Sequence, residues 1–152
     1  MSVKSFKTSN IKIEPGKIVQ IVYASTGSEK TVSSSTYVDT NLTGTITPTS
    51  ASNKILILVT HGANQKDGSN TSMQMRLMRD STEIVGIMGD GGKNGTSDRQ
   101  DFGGTSINYL DSPATTSAVT YKTQFNSLNN TASVAVQTSG RTSSITLIEV
   151  TP

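Results

Sequence analysis

The chain has no cysteine, no tryptophan and a single histidine. Without cysteine there are no disulfides, no thiol chemistry and no thiolate metal site. The lone histidine, His61, cannot build a zinc site without other strong ligands. Charged residues make up only 16% of the 152 residues, and the net charge is +2. No Lys/Arg run exceeds one residue, and aromatics are 5%, so a nucleic-acid footprint is excluded. No apolar run reaches membrane-spanning length, and the N-terminus lacks the apolar core of a signal peptide. These absences predict synthesis in a cytoplasm and no membrane insertion.

Hydrophobic residues are also scarce, at 32%, with Ser, Thr, Asn and Gly filling the difference. A disordered chain is usually rich in charge and proline; this one has neither. A low-charge, Thr-rich chain fits a β-sandwich with polar outer faces. The core is thin for the length, which predicts extra burial through oligomerisation.

What the chain does have is alternation. Ala118 to Ser127, Thr131 to Gln137 and Ser144 to Val150 each alternate apolar and polar residues. Asn129-Asn130 and Ser139-Gly140 separate them, so they read as three short antiparallel strands in one half-buried sheet. Earlier, Met1 to Pro15 reads as an extended arm, and Pro15-Gly16 as a turn. Lys17 to Ala24 is apolar on both faces, which predicts a strand between two layers or under a subunit contact. Thr36 to Thr40 and Leu42 to Ile46 are two further strand candidates. Asn53 to His61, the most apolar run, predicts a central strand, followed by a loop from Gly62 to Asn70. Ser72 to Arg79 and Glu83 to Met88 pair as a hairpin. Gly89 to Gly104 reads as a long loop suited to variable contacts, with Thr105 to Leu110 a strand after it. The total is about nine to eleven short strands, an all-β antiparallel sandwich over 16–152 behind an arm over 1–15. There is no convincing internal repeat and no domain linker.

No catalytic constellation stands out. Gly89 to Lys93 looks like a phosphate loop, but Asn94 stands where Ser or Thr is needed and the glycine spacing is wrong. Asp90, Asp98 and Asp101 with Asn94 could offer oxygens to calcium, yet Asx residues are ordinary turn formers. His61 lacks a nucleophile-elbow motif around it and reads as a partly buried histidine satisfied by a backbone group. Arg76, Arg79 and Asp80 read as surface ion-pair partners. The chain is therefore expected to be no enzyme and to hold no cofactor or metal.

Several stretches resemble a known family. Met75 to Ile84 (MRLMRDSTEI) is similar to the RLxRDGTEI hairpin of small virion proteins of tailed bacteriophages, marine ones especially. Tyr109 to Pro113 and Thr116 to Lys122 resemble their YLDSP…TSAVTYK segment, Ser144 to Val150 their terminal strand, and Gly16 to Gln20 their opening. The resemblance covers residues 16–150. It implies a jelly-roll-like sandwich similar to the trimeric heads of the tumour-necrosis-factor type, and a place in the virion. With no shaft repeat and only a short arm, it implies a small accessory homotrimer that decorates or cements the capsid. The partner would be the major capsid protein or another virion protein. The alternative it allows is the tip of a short fibre that binds a host surface glycan. Candidate assembly contacts are Val3, Phe6, Ile11, Ile13, Ile18, Ile21, Tyr23, Tyr121 and Phe125. Candidate contacts of an exposed binding loop are Asp90, Lys93, Asn94, Asp98, Arg99 and Asp101.

Overall fold

A run of β-branched and leucine residues gives the molecule its longest strand. In the computed structural model, which describes residues 16–68, 71–92, 100–129 and 132–152, the strand that starts at Lys54 runs on to Asp67, through register shifts on either side of Asn64. The strands are β1 (Ile18–Thr26), β2 (Lys30–Val32), β3 (Val38–Ile46), β4 (Lys54–Asp67), β5 (Met73–Arg79), β6 (Thr82–Gly91), β7 (Gln100–Asp111), β8 (Val119–Ser127), β9 (Ser133–Val136) and β10 (Ser143–Val150). One 3-10 turn, Thr138–Gly140, separates the last two.

All pairings are antiparallel. In one sheet β7 runs along one side of β4, while β10 and then β9 line the other side. β1 pairs β10 and β2 pairs β9, so β1 with β2 is one interrupted strand and β9 with β10 another. The second sheet has the order β3-β8-β5-β6. Merging the two interrupted strands leaves two layers of four ranks, β1/β2–β10/β9–β4–β7 over β3–β8–β5–β6. That is the order of a jelly roll, and the sandwich expected from the alternating patterns is what forms.

Several sequence expectations are corrected. The last three strands do not form one meander: β8 lies in one sheet, and β9 and β10 are collinear in the other. Gln137 and Ser139 take left-handed φ of 56° and 57°, which breaks the ladder between β9 and β10 and lets the chain resume in line. Gly62 to Asp67 is strand rather than loop, because β7 and β9 supply partners that a period of two in one segment cannot reveal. The two candidates around residue 40 are one strand, β3, kinked at Asn41 with φ of 70°. The long loop is shorter than expected, since β6 runs to Gly91 and β7 begins at Gln100.

The sheets enclose two apolar clusters. One gathers Leu42, Ile46, Ile55, Ile57, Val59, Leu77, Val119, Tyr121, Ile145 and Leu147. The other gathers Met73, Met75, Phe125, Val134 and Val136. Between them lies a polar band. His61 Nε2 meets Thr123 Oγ1 at 2.9 Å, and Thr123 Oγ1 meets Thr40 Oγ1 at 2.6 Å. On its other edge His61 Nδ1 faces Ser143 Oγ at 3.2 Å and Gln137 Nε2 at 3.3 Å. His61 is thus fully buried and satisfied by side chains from both sheets, not by a backbone group. β3, β4, β8 and β10 each place a polar side chain in the band, Thr40, His61, Thr123 and Ser143, so the partners arrive together.

Candidate functional site

The five exposed large hydrophobics among the described residues are Ile18, Val19, Ile21, Tyr23 and Leu110. All five belong to the β1–β10–β4–β7 sheet, on its two opposite edges. Register shows what lies between them. Ile21 is opposite Ile148, Ile148 is opposite Leu56, and Leu56 is opposite Leu110. Directly paired residues share a face, so these four side chains form one apolar row across the outer surface. The next row is Tyr23, Thr146, Leu58 and Asn108, and the one after it Ser25, Ser144, Thr60 and Ser106. At the apolar end stand Ile18, Val150 and Lys54. Lys54 is the one charged side chain among these outward positions.

The outer face of the other sheet is its opposite in character. Lys122 Nζ pairs Asp39 Oδ2 at 2.9 Å, and Gln124 Nε2 donates to Asp39 Oδ1 at 2.7 Å. Arg76 donates through Nε and Nη2 to Gln124 Oε1 at 3.0 and 2.8 Å, and pairs Glu83 Oε2 at 2.9 Å. Its guanidinium lies 3.8 Å from the centre of the Tyr37 ring. Burial pushes the Asp39 carboxyl up, but Gln124 and Lys122 outweigh it and hold it below its usual range. One face is dressed for water and the other is not. Antiparallel sheets with a solvated face show polar residues there, and a contiguous uncharged apolar face marks a contact surface.

Two buried acids fix the apolar face from behind. Glu149 is fully buried on β10. It accepts from Asn53 Nδ2 at 2.6 Å, from Gln20 Nε2 at 2.6 Å, and from the Thr49 amide and hydroxyl at 2.7 and 2.8 Å. Burial pushes its carboxyl up, but these donors outweigh it and hold it at about 2. Gln20 sits on β1 between the outward Val19 and Ile21, so the anion ties the exposed edge strand to the centre of the sheet. At the far edge Asp111 accepts two hydrogen bonds of 3.0 Å from Arg79 Nη1 and one of 2.7 Å from the Tyr121 hydroxyl. That joins β7 to the opposite sheet, and burial, then Asp111, pushes the Tyr121 phenol up.

The sequence-predicted contacts divide accordingly. Ile18, Ile21 and Tyr23 come together on the exposed face, so the strand is not buried on both faces within the chain. Tyr121 and Phe125 are fully buried between the sheets and are core residues, not assembly contacts, because β8 turns those positions inward. Val3, Phe6, Ile11 and Ile13 lie outside the described residues. Leu56, Leu58, Leu110 and Ile148 were missed: each strand alone suggests a core face and a second apolar face, and only register joins the second faces. Of the candidate loop, Asp90 and Asp101 lie on β6 and β7 rather than in a loop. Asp90 accepts from the Ser72 hydroxyl at 2.8 Å. Lys93, Asn94, Asp98 and Arg99 lie outside the described residues. Among the described residues no group of three or more His, Asp or Glu side chains is gathered to hold a metal ion.

No protein-family model matches the chain, and no curated protein matches it.

Proposed function

We infer that the chain is a non-enzymatic structural protein of a bacteriophage virion, a homotrimer that decorates or cements the capsid. Subunits meet through the outer face of the β1–β10–β4–β7 sheet. The observation that carries the assembly is the uncharged row Ile21–Ile148–Leu56–Leu110. A cyclic assembly brings copies of one surface patch close together, so net charge there would repel. Among the positions of the rows described above, Lys54 at one corner is the one charge. Removing the row from water supplies roughly 25 cal/mol per Å² of apolar area before the cost of association. The place in the virion is supported by the resemblance of residues 75–84, 109–122 and 144–150 to small phage virion proteins. Residues 1–15 act as the anchor to the major capsid protein or another virion protein.

Antibody-gold electron microscopy on particles from a lysate containing the protein tests this reading. Label spread over heads is the expected result. Label confined to tail ends would replace decoration with a fibre tip, and no labelled particle would overturn the virion assignment.

A further inference from the structure

We propose that the outer face of the β3–β8–β5–β6 sheet carries a binding site for a neutral saccharide, built around Tyr37, Gln74, Arg76 and Glu83. These residues line a cavity of about 310 Å³ together with Gly86 and Gly89. That volume sits near the lower end of the range of about 300–1,000 Å³ for ligand pockets, which suits a small ring.

Three features point to a sugar. The first is charge. Arg76 is neutralised by Glu83 at 2.9 Å, and Lys122 nearby by Asp39 at 2.9 Å. Neither cation is left over for a carboxylate or phosphate. What remains is a set of planar polar groups, an amide, a guanidinium and a carboxylate, whose capacity beyond these internal bonds is what would meet neighbouring hydroxyls. The second is rigidity. Arg76 is held by Gln124 and Glu83, and Tyr37 by the guanidinium and by its hydrogen bond of 3.4 Å to Gln74 Oε1. The polar groups and the ring are set before a ligand arrives.

The third is the glycines. Gly86 sits directly opposite Arg76 across the β5–β6 pair. A Cβ at Gly86 or Gly89 would meet nothing within 4 Å, and neither has a left-handed φ. Glycine weakens a strand interior and often marks a close approach by a ligand. Here neither crowding nor backbone geometry requires it, whereas an open cavity over Arg76 does.

This site is independent of subunit assembly, since it lies on the opposite sheet. The test titrates glucose, galactose and N-acetylglucosamine into isotope-labelled full-length protein, with glucuronate as the anionic comparison, and follows the amides of β5 and β6. At least one neutral sugar is expected to shift amides around Gly86 with a Kd on the order of 1 mM. Gly86→Leu, whose Cβ would meet nothing within 4 Å, should fill the cavity and weaken that binding at least about tenfold, the step worth 1.4 kcal/mol. Tyr37→Ala, a separate variant on the cavity wall, should weaken it as well. No shift with any neutral sugar, tighter binding of glucuronate, or unchanged binding by both variants would overturn the proposal.

Discussion

Glu149 and His61 are both buried side chains whose protonation differs between the folded and the unfolded chain. Burial depresses His61 from 6.5 to about 4. Its contribution is complete above about 6.5 and is lost as the pH falls through 4, because the unfolded chain takes the proton first. The donors around Glu149 lower its carboxyl from 4.5 to about 2, so its contribution is complete above 4.5 and is lost as the pH falls through 2. Each window is worth at most about 3 kcal/mol. Denaturant titrations from neutral to strongly acid pH should therefore show stability falling in two overlapping steps. Glu149→Gln should cost about 2 to 3 kcal/mol at neutral pH and remove the lower step. A variant that keeps the full acid profile would contradict the network. Neither partner set was legible in the sequence. Gln20, the Thr49–Asn53 turn and Glu149 lie on three separate segments, and a polar residue in an alternating strand looks solvent-facing until the fold turns it inward. The inward side of β5 was legible, since Met73, Met75 and Leu77 alternate cleanly with Gln74 and Arg76.

At the scale of elements, the two interrupted strands decide how the sheet is built. The breaks face one another, with the Cβ position of Gly27 3.2 Å from the Gly140 carbonyl oxygen. Opposite them β4 brings Gly62 so near that a Cβ would fall 2.7 Å from the Thr142 carbonyl oxygen. Gly62→Ala is therefore expected to destabilise the fold by about 1–3 kcal/mol. Gly86→Ala, on an open strand, should stay within about 0.5 kcal/mol of the parent. Urea melts compare the two directly, and equal costs would show that the close approach is absent. The β5–β6 hairpin was readable from its turn. Asp80 takes a φ of 51°, and its amide and carboxylate are both bonded to Thr120 of β8. The continuation of β4 past His61 was not readable, because Gly62 and the polar residues after it look like a loop until β7 and β9 are placed beside them.

For the whole molecule, composition and alternation were enough for an all-β sandwich. Strand order was not available from pattern alone, because β8 and β9 are neighbours in sequence and belong to opposite sheets. The outer apolar face was half legible. The double-sided apolar character of β1 signalled it, while the central part, Leu56 and Ile148, needed register. Sedimentation of the purified chain tests directly whether that face joins copies of the chain. The chain should sediment with three times the mass of one copy, and Ile148→Asp, an outward position at the middle of the row, should sediment as single folded copies. A parent chain that stays single at every concentration, or an assembly untouched by Ile148→Asp, would contradict it.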